Sequence, residues 1–119
     1  MIESTLQIVV PARKREEALE ILRMYLGPAC HQAGCISCQG FQELDKEDSF
    51  ILIEKWMSQA YLDRHLCSSE YKKVLALMEI SCEPPEIKFH TVWNSDGMEL
   101  LLFSSLTLSS TLRSFLLLF

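Results

Sequence analysis

Between Phe50 and Tyr71 the hydrophobic period of this chain changes from two to nearly four, and no other stretch restricts the fold as much. In FILIEKWMSQAYLDRHLCSSEY, Phe50, Leu52, Glu54 and Trp56 fall on one face of an extended segment, and Ile51, Ile53 and Lys55 on the other. Past Ser58, Leu62 and Leu66 share one helical stripe, while Tyr61 and His65 share another. A strand therefore hands over directly to a helix. The junction is expected to bring an acid (Glu54), an indole (Trp56) and an imidazole (His65) to the mouth of one cavity, which is where a site belongs.

The remaining segments supply partners for that junction. Residues 4–10, STLQIVV, read as a first strand that Pro11 ends. Ala18, Ile21, Leu22, Tyr25 and Ala29 predict a helix from Lys14 to Ala29, with acids in its first turn and a weakened end at Gly27 and Pro28. Arg13, Lys14 and Arg15 are answered by Glu16, Glu17 and Glu20, as on a solvated helix start. A second strand is expected from Cys35 to Leu44, a charged turn from Asp45 to Asp48, and a third strand from Phe50 to Trp56. The helix from Gln59 to Leu66 is followed by another, capped near Ser68 or Ser69, with Tyr71, Val74, Leu75 and Met78 as its buried stripe. After Pro84 and Pro85, Glu86 to Trp93 alternates as a last strand, with Ile87, Phe89, Thr91 and Trp93 on one face.

The order β-α-β-β-α-β, its second helix broken in two, predicts an α+β ferredoxin-like fold: a four-stranded antiparallel sheet with helices on one face. Both faces of the third strand are largely apolar, so a second subunit is expected on the bare face, giving a homodimer.

A chain of 119 residues suits one domain, here residues 1–100, and its hydrophobic share of 49% supports a packed core. The formal net charge of −5, with scattered lysines and arginines, argues against nucleic acid or an anionic membrane as partner. Glu3 stands where a signal peptide would need basic residues, so a cytoplasmic location is expected. Residues 101–119 form an apolar Ser/Leu-rich extension. Ser104, Ser105, Ser109, Ser110 and Arg113 interrupt it, which argues against a membrane span and for either a tail strand or helix packed on a neighbouring subunit or an atypical extension.

Five cysteines cannot all pair within one chain. Cys30, His31, Cys35 and Cys38 match a metal-ligand set by count. Three positions apart on a strand, however, Cys35 and Cys38 should point to opposite faces. Buried, inert thiols and no metal are the expectation.

Together with the segment above, GCISCQGFQELD (34–45) and PPEIKFHTVWNSDGMEL (84–100) resemble the antibiotic biosynthesis monooxygenase (ABM) domain, most of all its stand-alone quinol-monooxygenase-like members. The resemblance covers residues 4–100. It implies a dimeric α/β barrel and oxidation of a small aromatic or quinol-type molecule by O2, with no cofactor. Haem-degrading relatives use an asparagine, a tryptophan and a histidine where this chain has Gln7, His65 and Leu75, so haem degradation is disfavoured.

On this reading His65 and Glu54 are catalytic, the ring as base and the carboxylate orienting it, because imidazole titrates near neutral pH and a carboxylate among apolar groups needs a partner. Trp56, Tyr25 and Tyr71 are expected to bind substrate. Two other readings stand beside it: a non-catalytic small-molecule-binding or stress-related dimeric module, and a thiol sensor using Cys35 or Cys38.

Overall fold

The computed structural model describes residues 1–92; Trp93 and the extension 101–119 lie outside the described residues. The elements are β1 (Ile2–Val9), α1 (Arg15–Cys30) after a short 3-10 turn, β2 (Cys35–Glu43), β3 (Lys46–Trp56), α2 (Gln59–Leu66), α3 (Tyr71–Ile80) and β4 (Glu86–Thr91). The sheet is antiparallel throughout, in the order β2-β3-β1-β4. This is the ferredoxin-like arrangement expected from the order of elements.

Strand alternation decides which face the helices cover. Ile2, Ser4, Leu6 and Ile8 of β1 and Phe50, Leu52, Glu54 and Trp56 of β3 are buried on the same side, and the register pairs Ile2 with Trp56 and Leu6 with Leu52. Ala18, Leu22, Tyr25 and Ala29 of α1, and Val74 and Leu77 of α3, close that side. The opposite face carries Ile51, Ile53 and the half-exposed Phe41, which stands opposite Ile51.

Several elements differ from the sequence reading, each for a physical reason. The turn between β2 and β3 is only Leu44–Asp45, because Arg15 draws the charged residues into the strand, with Asp48 at 2.6 Å and Glu47 at 3.5 Å. Helix α1 continues through Pro28 to Cys30. Ala29 is fully buried and anchors the last turn, while His31 N and Gln32 N donate to Pro28 O and Ala29 O. Pro28 has no N–H to donate to Met24 O, and the burial of Ala29 just after it offsets that loss. Ser68 ends α2 by donating to His65 O at 2.6 Å, and α3 begins only at Tyr71. Within α3, Leu75 is exposed and Leu77 takes its place in the core.

The largest correction concerns the thiols. A register shift between Cys35 and Ser37 inserts an extra residue into β2, so that Cys35 pairs with Trp56 and Cys38 with Glu54. Trp56 and Glu54 share a face, and both cysteines therefore look toward the helices. A β-bulge of this kind breaks the strict alternation on which the opposite-face expectation rested.

Candidate active site

Three side chains from three elements meet beneath α1 and α2. Tyr25 stands on the buried stripe of α1, Glu54 two positions before the end of β3, and His65 in the last turn of α2. Helix α2 is set by Ser58, which has an extended backbone and whose side-chain oxygen accepts the Tyr61 N–H, while its carbonyl accepts from Leu62 N. One turn further on, His65 falls on the buried side with Leu62. The Tyr25 hydroxyl donates to Glu54 Oε1 at 2.8 Å and lies 2.7 Å from His65 Nε2. Glu54 Oε2 sits 3.2 Å from the same nitrogen. On the far side of the ring, Nδ1 is hydrogen-bonded to Gln32 Oε1.

The cluster is almost sealed: Tyr25 is 0% exposed, His65 2% and Glu54 3%. Polar groups taken out of water need partners, and these have one another, with Glu54 Oε2 left to its ion-pair contact with the ring alone. Trp56 stacks on the imidazole with ring centroids 4.3 Å apart, and Tyr71 meets it edge-on at 5.4 Å. All five side chains proposed from the sequence are thus brought together around one ring.

Tyr25 owns one hydrogen, and its oxygen stands within hydrogen-bonding distance of both Glu54 Oε1 and His65 Nε2, so the phenol links the carboxylate to the ring. Burial, reinforced by the Glu54 charge, pushes the Tyr25 phenol far up, so it serves as a donor and relay rather than as a base. Burial likewise raises the Tyr71 phenol.

His65 and Trp56 form one wall of a cavity of about 190 Å³ completed by Gln32, Tyr61, Arg64 and Ser68. Tyr25, Glu54 and Tyr71 lie behind that wall, not on it. The Arg64 guanidinium lies 5.6 Å over the Tyr61 ring, and among the described residues no carboxylate pairs with it. The buried Trp56 Nε1 has no hydrogen-bond partner. A second cavity, about 200 Å³, lies between α1 and the sheet, but its lining is Leu19, Leu22, Leu26, Phe41 and Phe50 with Arg23 and Gln42, and it lacks the imidazole cluster. Among the described residues no group of three or more His, Cys, Asp or Glu side chains is placed to hold a metal ion.

Gln32 and Arg64 were missed as wall residues. Gln32 lies in the turn between α1 and β2, where only Gly34 carried a local signal. Gly34 has a φ of +81° and directs that turn back beneath Tyr61.

A four-stranded antiparallel sheet with helices on one face, and an imidazole buried against it that walls a small aromatic cavity, define an α+β protein of the ferredoxin-like class. The ABM family model, antibiotic biosynthesis monooxygenase, matches residues 1–77, and the chain belongs to that family. A crystal structure of an antibiotic biosynthesis monooxygenase superposes with a TM-score of 0.72 at 16% identity, covering 79% of this chain and 100% of that one. A protein of Mycobacterium tuberculosis gives 0.73 at 18%, covering 81% and 98%, and a conserved protein of Methanosarcina mazei 0.69 at 24%, covering 74% and 88%. These likenesses show the fold. An uncharacterized protein of Synechocystis sp. is 26% identical over 86 residues, which are 71% of this chain and 58% of the relative's length. Among the described residues no helix is long and apolar enough to cross a membrane.

Proposed function

We propose that this chain is a monooxygenase that binds a small phenolic or quinol-type molecule against Trp56 and His65 and activates it for reaction with O2. The observation that carries this reading is the imidazole wall: one side of His65 faces the cavity, and the other is held by Tyr25 and Glu54. A quinol reacts with O2 once it has lost a proton and become electron-rich. The ring takes that proton at Nδ1, the nitrogen that Gln32 reaches from the cavity wall, after its own proton has moved to Nε2 toward Glu54 and Gln32 has given way to the substrate hydroxyl. The imidazolium that results stands against the Glu54 carboxylate. Arg64 at the rim favours the oxyanion left on the substrate. In the balanced reaction one oxygen atom enters the substrate ring. The other leaves as water with two hydrogens from the quinol, which becomes the hydroxylated quinone, so the substrate itself supplies all four electrons that O2 takes up.

His65 is the catalytic residue on this proposal, and Glu54 and Tyr25 position it. Trp56 contacts the substrate, while Tyr71 supports the ring from behind. O2 consumption with a panel of hydroquinones is the test. His65→Gln is expected to lower kcat by about a hundredfold or more, in line with the loss of a general base. An unchanged rate in His65→Ala removes the assigned mechanism.

A second reading, a non-catalytic binding module, is favoured by the near-complete burial of the Tyr25–Glu54–His65 cluster, which folding alone could require. It is distinguished by ligand-induced quenching of tryptophan fluorescence without any O2 uptake.

The face of the sheet carrying Phe41, Ile51 and Ile53 supports the proposal of a homodimer with two sheets packed together, as an apolar sheet face left in water is costly. Sedimentation as a monomer at micromolar concentration overturns it. Unpaired cysteines throughout the described residues suit a reducing, cytoplasmic setting.

A further inference from the structure

We infer that Cys30 and Cys38 form a peroxide-responsive dithiol whose closure alters the corner that holds His65. Cys30 is the last residue of α1 and is exposed, whereas Cys38 is buried on β2 and faces the helices because of the bulge. Cys30 Sγ lies 3.4 Å from the Cys38 carbonyl oxygen, which sets the two residues side by side across the end of α1 and β2. One sulfur is therefore open to solvent and the other is held in reserve behind it. Burial, then the nearby Glu54 charge, keeps the Cys38 thiol protonated, so the first encounter with an oxidant falls to Cys30.

The chemistry is balanced with hydrogen peroxide as oxidant. The Cys30 sulfur attacks one peroxide oxygen, the O–O bond breaks, an S–O bond forms and one water leaves, giving a sulfenic acid. The Cys38 sulfur then attacks the Cys30 sulfur. The S–S bond forms, the S–O bond breaks, and the hydroxyl leaves with the Cys38 proton as a second water. Two thiols are oxidised by two electrons and one peroxide is reduced.

The disulfide would bracket the turn between α1 and β2. That turn contains Gln32, which holds His65 Nδ1, and Gly34, whose carbonyl accepts from Met57 N at 2.8 Å just before α2. Tightening the turn shifts Gln32 against the ring, so oxidation is read out at the His65 cavity. The dithiol itself does not depend on the proposed oxygenase activity.

The experiment uses the full chain carrying Cys67→Ser and Cys82→Ser, which removes the other exposed thiols. After titration with hydrogen peroxide and alkylation without reduction, peptide mass spectrometry is expected to show Cys30 joined to Cys38. Dithiothreitol should reverse the link, and the His65 ring signals should move in step with it in NMR spectra. Cys35→Ser should retain the link. Cys30→Ser, a surface change that leaves the fold intact, should leave Cys38 unmodified at the same peroxide dose. Accumulation of sulfinic acid on Cys30 with Cys38 still free, or a Cys30–Cys35 link instead, overturns the inference. A Cys30–Cys38 link that leaves the His65 signals in place overturns the coupling to the site.

Discussion

Gln32 and His65, 33 positions apart in the chain, are joined side chain to side chain, so the turn after α1 holds the ring that α2 presents. With its amide oxygen toward Nδ1, Gln32 makes that nitrogen a donor and leaves Nε2 to deal with Tyr25 and Glu54. Gln32→Leu removes the acceptor. The ring tautomer should redistribute, visible in the imidazole 15N shifts, and stability should fall by about 1 kcal/mol, the usual net worth of one hydrogen bond. Turnover with a hydroquinone should lose more in kcat than in KM, because a ring that is bound but wrongly oriented still allows binding. Unaltered 15N shifts would show that Gln32 does not set the tautomer.

Tyr25→Phe deletes a single hydroxyl and leaves Glu54 Oε1 without its donor in a buried site. The expected loss is about 1–3 kcal/mol, the cost of leaving a buried polar group unpaired. It should appear as a lower urea midpoint with an unchanged m-value. In Tyr25→Phe/Glu54→Gln the loss should fall short of the sum of the single changes, since the two residues share one bond. Strict additivity would mean that the hydroxyl and the carboxylate act independently.

The order of elements, the buried faces of β1 and β3 and the meeting of Glu54, Trp56 and His65 were all legible, because each depends on periodicity within one segment. Tyr25 was legible as a core residue of α1, but its hydroxyl bond to Glu54 depends on how far α1 sits along the sheet, which no local pattern encodes. The bulge at Cys35–Ser37 was hidden for a related reason. Alternation predicts faces only while the register is unbroken, and the extra residue leaves no compositional trace in GCISCQG. Arg15 shortened the hairpin turn by reaching across to Asp48, a tertiary pull that overrides the turn preference of a charged segment. Gln32 reached the site from a turn whose shape only Gly34 foreshadowed.

Alkaline pH should destabilise the fold. The Cys35 thiol is pushed up from 9.0 to about 11, chiefly by burial and then by Cys30 and Glu54, and Cys38 is raised further for the same first cause. Above pH 9.0 the unfolded chain releases these protons while the folded chain keeps them. The unfolded state then binds fewer protons, so stability falls as pH rises. The contribution is complete below pH 9.0 and is lost as pH climbs toward about 11 for Cys35. Urea midpoints measured across that window should decline, and Cys38→Ala should flatten the decline. A midpoint that stays level through the window would show that neither thiol retains its proton on folding.

Two glycines should respond to alanine in opposite directions. At Gly34 the backbone φ is +81°, and an added Cβ would stand 2.1 Å from Tyr61 Cγ. Both the left-handed backbone and the clash oppose alanine, and the ring is held at its base by the first turn of α2, so it has little room to yield. The backbone conformation alone costs about 1–2 kcal/mol, and overpacking adds about 1–3 kcal/mol. Because Tyr61 also walls the cavity, Gly34→Ala should weaken ligand binding beyond what its lower stability explains. At Gly27, inside α1, an added Cβ meets nothing within 4 Å, and the backbone is helical. Gly27→Ala should therefore stabilise the domain by about 0.5–1 kcal/mol through helix propensity and the smaller entropy of the unfolded chain. Thermal unfolding of the two variants against the parent checks both signs together. A Gly34→Ala protein as stable as the parent would mean that the turn carrying Gln32 can be rebuilt without a left-handed residue, and the hold of that turn on His65 would then be looser than the geometry describes.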